Sequence, residues 1–399
     1  MKRTAHPGFR SKLSHGILLA CAGFLLFGVV PRGANGQSAA APEADYWIWV
    51  GSESDDLLHR IRFGPDGAEV DNRKWIGRNP GKVEGPHGLA ISADGRYMYM
   101  STGHGSPNGF LWKYELGPDT LVGGPTPLGR FPASLDVTPD GLLVFVANFD
   151  LYGQHVPSSI SAAYAPDLYE IEQIEVCVMP HGSRVHPRGH RVYTVCMMDE
   201  QLVEIDVRQF EVARRFSLVE GSEGPLPVTD GHDHEHGHHD HGHHGGGGGH
   251  DHLGCSPTWV TPDPMGQNVY VTCNRGDRVV EIDTEEWGIT RTFPTGVGPY
   301  NVEVSPDGRL LVVTLKQGNG VEFIDLDSGE TVATTATSTT VVHGVAISPD
   351  SRYAFVSVEG VGQEPGKVDI FDLETFQRVA DVEVGRQASG IAFWRMEER

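Results

Sequence analysis

The sequence predicts an all-β chain: a seven-bladed β-propeller of four-stranded antiparallel blades, the first closed by strands from both ends of the chain. Three observations carry this expectation. A unit of two strands around a tight turn recurs six times, the turn keeps a Ser/Thr-Pro-Asp-Gly character, and each end of the chain holds half of a further unit.

The recurring unit begins with a small or polar pair, enters a strand, turns, and returns in a second strand. It stands at Pro86 to Gly95, Ala133 to Gly141, Pro180 to Gly189, Cys255 to Gly266, Pro299 to Gly308 and Val342 to Ser351. Spacing of this order is that of one propeller blade. Within a unit, alternating runs such as Tyr97 to Met100 and Val269 to Thr272 read as strands b, and Val279 to Asp283 and Val321 to Asp325 as strands c. The turn residues fit an a–b hairpin, because proline fixes φ at its start and glycine accepts φ > 0 at its end. A lone blade cannot bury both faces, whereas a ring of blades buries each against the next.

Tyr46 to Val50 begins at a strand b with no strand a before it, and Gly390 to Trp394 is a strand a with nothing after it. Joining them closes blade one and brings the count to seven. The propeller is therefore placed at residues 45–396, with no second domain.

Tyr270-Val271-Thr272-Cys273 beside Asn274, with Pro-His-Gly-Leu-Ala-Ile-Ser-Ala-Asp at 86–94 and the related run at 342–350, resembles the YVTN β-propeller repeat family. The resemblance spans roughly residues 45 to 395 and implies the fold. It implies no single chemistry, since such propellers host lactonases, quinoprotein-like enzymes, surface proteins and binding scaffolds.

The 399 residues include 51 glycines and 26 prolines, a turn-rich composition suited to short strands. Formal charge is −22, and no long basic run follows the first fifteen residues, so no nucleic-acid partner is expected. Residues 1–36 read as a signal peptide: Lys2, Arg3, Arg10 and Lys12 are basic, Gly16 to Val30 is apolar, and Ala34-Asn35-Gly36 offers small residues for cleavage. A flexible leader at 37–44 would follow. The expected location is periplasmic or secreted, with no membrane span after cleavage; lipid anchoring at Cys21, within Leu18-Leu19-Ala20-Cys21, is the alternative.

In a propeller of this topology the starts of strands a, the ends of strands b, and the b–c and d–a loops share one rim, here called the top. The position opening strand a reads Ser389, His87, Ala133, His181, Ser256, Tyr300 and His343 around the ring. His87, His181 and His343 thus meet at the channel mouth as candidate ligands for zinc or copper. The structural alternative is that each bonds a neighbouring blade's backbone. His104 and His155, in b–c loops, share the rim. Asp136, Arg184 and Glu303 occupy one equivalent strand a position and are expected to pair with each other.

Four cysteines remain once the signal is set aside. Counting through the turns places Cys273 opposite Cys255, and Cys196 close to Cys177, so two disulfides are expected in an oxidising compartment, with thiolate ligation of metal as the alternative. Between blades four and five lies a tract of ten histidines among acids and glycines: His232, His234, His236, His238, His239, His241, His243, His244, His250 and His252. Residues 230–252 cannot bury apolar surface and are expected to be disordered without ligand. They offer overlapping sites for zinc, nickel or copper and resemble the loops of zinc-uptake proteins and zinc transporters.

No Gly-x-Ser-x-Gly, His-Glu-x-x-His or phosphate-cradling loop occurs. A metal-binding protein that buffers or delivers zinc or copper is therefore the first functional expectation. A lactonase-like or quinoprotein-like enzyme with its site at the channel mouth is the second, and a scaffold for a protein partner on the top face the third.

Overall fold

The computed structural model describes residues 41–79, 81–104, 108–228 and 254–399, all within one compact unit, Ala39–Arg399. Seven antiparallel sheets follow one another, each with its first strand innermost. Blade one takes strand a from the C-terminus, Ala388–Glu398, which pairs with strand b, Ala44–Ser52; Leu57–Gly64 and Gly67–Trp75 complete it. The remaining strands a are Pro86–Ile91, Pro132–Val137, Pro180–Val185, Pro257–Pro262, Pro299–Val304 and Val342–Ile347. The expected architecture is thus present, including the blade shared between the two ends.

The turns follow from their residues. Ser92, Thr138, Ser305 and Ser348 each donate their hydroxyl to the carboxylate two residues on and accept the backbone N–H that begins strand b. Gly95, Gly141, Gly189, Gly266 and Gly308 then take φ near +70°. Packing follows from the alternation of the strands: Phe145, Ile160 and Val192, for example, are fully buried in the apolar layer between blades three and four.

A belt of side-chain hydrogen bonds ties each blade to the next near the top. Ser389 Oγ donates to the Pro86 carbonyl, Ser101 Oγ to Ala133, Ser134 Oγ to His181, Thr258 Oγ1 to Tyr300, Thr314 Oγ1 to His343 and Ser357 Oγ to Ser389. His181 supplies the missing link through its ring, with Nδ1–H donating to the Thr258 carbonyl at 2.8 Å. The strands approach closely here. A Cβ on Gly88 would sit 2.3 Å from the Ala133 carbonyl oxygen, and one on Gly390 2.1 Å from that of His87.

Three details depart from the sequence reading. In blade two the outer edge is two short strands, Thr120–Leu121 and Thr126–Pro127, both paired with Phe110–Glu115. In blade five the residue opening strand a is Thr258, not Ser256: Pro257 pairs with Cys273 as Pro180 pairs with Cys196. Ser256 lies before the strand at φ 46°, where the incoming chain turns. Blade four also carries a fifth strand, Gly224–Leu226, antiparallel to Glu211–Ser217, so the chain turns back along the blade's outer edge before the histidine tract.

Cys177 is bonded to Cys196 and Cys255 to Cys273. The first bridge links the outer strand of blade three, Tyr169–Val178, to strand b of blade four, Arg191–Cys196. Among the described residues no helix is long and apolar enough to cross a membrane.

Candidate active site

The top of the channel gathers side chains from two series of positions. One is the strand a series read from the sequence, which supplies His87, His181, Tyr300 and His343. The other is the residue that follows strand b, and it supplies Glu53, Phe149, Lys316 and Glu359. Gly103 holds the same place in blade two, with His104 just after it.

Glu53 is the centre of one cluster. It opens a 3-10 turn, Glu53–Asp55, and is 2 % exposed. His87 Nδ1 lies 2.7 Å from Glu53 Oε1 and His104 Nε2 2.8 Å from Oε2. Since a carboxylate only accepts, both rings donate to it. Gln387, just before the closing strand, adds its side-chain amide at 3.2 Å, and its carbonyl accepts the Glu53 N–H. Burial by itself would raise the Glu53 pKa. Attraction to His87 and the two histidine hydrogen bonds outweigh it, holding the carboxyl well below the ordinary range and therefore ionised.

The second cluster centres on Tyr300, whose hydroxyl lies 3.2 Å from His181 Nε2 and 3.3 Å from His343 Nε2. Burial lowers His181 to about 3, aided by the nearby His87, and pushes His343 well below its usual value, aided by Lys316. Both rings are neutral at physiological pH, the form that can bind a metal. Lys316 lies 4.1 Å from the centre of the Tyr300 ring and 2.8 Å from Glu359. His87 joins the two clusters, its ring 6.1 Å from that of His181 and 5.7 Å from that of His343.

Glu53, His87 and His343 each offer one ligand atom, all within 4.8 Å of one another. A buried carboxylate with two imidazoles is a donor set suited to zinc or copper. Of the three histidines expected here, the structure thus groups two with Glu53. His181 lies beside them with both nitrogens engaged, one by the Thr258 carbonyl and one by Tyr300. His155 is exposed and makes no side-chain hydrogen bond with the cluster's residues. The ten histidines of the tract from His232 to His252 lie outside the described residues; the chain resumes at Gly254, just before the Cys255–Cys273 bridge.

Glu53, Lys316 and Glu359 escaped the sequence reading, although a signal for them existed. They follow strand b at one fixed offset of the repeat. Lower in the channel, Arg184 pairs with Glu303 at 2.7 Å and lies over the Trp259 ring, while Asp136 accepts the Val185 N–H. These groups hold the inner strands together, with Asp136 joined to the chain beside Arg184 rather than to its guanidinium.

The fold and site define a seven-bladed propeller with a buried acid–histidine cluster at its top mouth. No protein-family model matches the chain, and no curated protein matches it. Among solved structures it is similar to a putative 6-phosphogluconolactonase of Bacteroides fragilis, at 15 % identity over 89 % of this chain and 99 % of that one, with a TM-score of 0.66. It is similar also to the periplasmic gluconolactonase of Pseudomonas aeruginosa, at 19 % identity over 88 % and 99 %, TM-score 0.61. Hydrazine synthase of Kuenenia stuttgartiensis matches at 20 % identity over 75 % and 81 %, TM-score 0.55. At these identities the likeness establishes the shared propeller fold.

Proposed function

We propose that the chain is an exported hydrolase of the lactonase kind, acting on a small cyclic ester at the top mouth, with a zinc or copper ion held by Glu53, His87 and His343. One observation carries this: a buried, ionised carboxylate is clamped by two histidines, His87 and His104, and a third, His343, offers a ligand atom within 4.8 Å of it. Perturbed titratable groups gathered at one end of the channel are what acid–base and metal-assisted chemistry require. A bound zinc would lower the pKa of its water and polarise the ester carbonyl. His104, partly exposed and hydrogen-bonded to Glu53, is placed to exchange protons with substrate. Lys316 supplies a cation for the developing oxyanion.

The choice of a cyclic ester is supported by the names of the two lactonases that share the fold. Export is supported by the two disulfides and by the signal-like N-terminus. Assignment of the repeats to the YVTN type rests on the Pro-His-Gly and Tyr-Val-Thr-Cys motifs.

The test is release of acid from glucono-δ-lactone by the full chain, with and without added zinc. Turnover above the spontaneous rate is expected, with kcat/KM falling at least ~100-fold in Glu53→Gln. No turnover in either condition, or an unchanged variant, would overturn the reading.

A second reading, a protein that binds transition metal for buffering or delivery, is favoured by the same three ligands together with the tract from His232 to His252. Zinc titration of the chain with and without residues 231–252 separates the two sites: one equivalent surviving the deletion belongs to the mouth, and equal stoichiometry in both removes the tract.

A further inference from the structure

A chain of hydrogen bonds starting from a backbone carbonyl fixes which nitrogen of His343 carries its proton. The Thr258 carbonyl can only accept, so His181 Nδ1, 2.8 Å away, bears a hydrogen. In the neutral ring Nε2 is then a lone pair, and it accepts the single hydrogen of the Tyr300 hydroxyl. That hydrogen being spent, the contact between Tyr300 and His343 Nε2 can form only if Nε2–H donates to the phenol oxygen. His343 Nδ1 is left as the lone pair.

An independent observation agrees. His343 Nδ1 is buried with no hydrogen-bond partner, one of few such atoms among the described side chains, and a buried polar atom without a partner calls for an explanation. His343 also lines, together with His87, Asn301 and Trp259 but without Glu53, a cavity of about 20 Å³, room for about one water molecule.

We infer that Thr258, His181 and Tyr300 form a positioning relay that holds His343 in the Nε2–H tautomer and keeps its Nδ1 lone pair open as the atom offered to a metal ion. The role in metal binding rests on the reading of the mouth given above. Tyr300 and His181 act here through His343. They do for it what a carboxylate or carbonyl behind a metal-bound histidine does, fixing tautomer and ring orientation.

The test uses the full chain with ¹⁵N-labelled histidine, His343→Gln serving to assign the resonance. In metal-free protein His343 is expected to show a protonated Nε2 and an unprotonated Nδ1. In Tyr300→Phe, which removes one oxygen and whose folding is checked by its thermal transition, the two tautomers should mix. Added zinc should perturb Nδ1, and zinc affinity should fall ~10- to 100-fold in Tyr300→Phe. A proton on Nδ1 in the metal-free protein, or a variant with the same tautomer and the same affinity, overturns the relay. The tautomer is read without substrate. A protein showing it while hydrolysing no lactone therefore loses the hydrolase reading and keeps the relay, and one that hydrolyses lactone with the opposite tautomer does the reverse.

Discussion

Ser389 donates its hydroxyl to the carbonyl of Pro86, 3.0 Å away, across 303 residues of sequence. This bond joins blade one to blade two through a strand that arrives last in the chain.

Truncation before Ala388 should therefore be severe. It would strip strand a from blade one and uncover Ile48 and Val50, both fully buried. Loss of cooperative thermal unfolding is expected; a truncated chain that melts like the whole one would show that closure contributes little.

Gly390→Ala tests the close approach of the inner strands. The added Cβ would meet the His87 carbonyl oxygen at 2.1 Å, and backbone cannot yield as a flexible side chain can. Destabilisation of about 1–3 kcal/mol in urea is expected, and a change under ~0.5 kcal/mol would mean that the strands part freely.

His59 makes stability sensitive to acid. Burial first, and Arg73 second, lower its pKa from 6.5 to about 4, although Asp55 opposes them. Its Nε2 accepts the Gly385 N–H, so the folded state needs the neutral ring. The unfolded chain takes up a proton near pH 6.5 and the folded one only near 4. The contribution is thus complete above pH 6.5 and is lost as pH falls toward 4, by ~1 kcal/mol per unit. His59→Gln should flatten the urea-stability profile in this window, and parallel profiles would count against the assignment.

Reduction of the bridge between Cys177 and Cys196, which are 19 residues apart, should cost about 3 kcal/mol by the chain-entropy estimate. Because the bridge spans blades three and four, Cys177→Ser with Cys196→Ser should lower the thermal midpoint without changing the number of transitions.

The fold was legible because its determinants are local and repeated. Proline and glycine mark each turn, alternation marks each strand, and the incomplete ends point to one another. The register of blade five was less so. Cys255 stands two residues before Pro257, and only the ladder to Cys273 shows that Pro257 is the counterpart of Pro180. Half of the site was legible as well, since His87, His181, Tyr300 and His343 recur at one position of the repeat. Glu53 and Lys316 share one offset after strand b, but no turn motif marks that place and the residue types there differ from blade to blade, so the signal is faint until the ring closes. Hydrogen-bond direction, which separates His181 from His343, depends on partners far away in sequence and has no signature in the chain.

The polar side chains at the mouth come from blades one, two, four, six and seven, with Phe149 from blade three, and Glu53 is held by Gln387. A chain growing from its N-terminus therefore has its histidines long before it has a site. The last dozen residues do not add a ligand; they bring the existing ones into register. The mouth is thus complete only once the C-terminal strand has closed blade one.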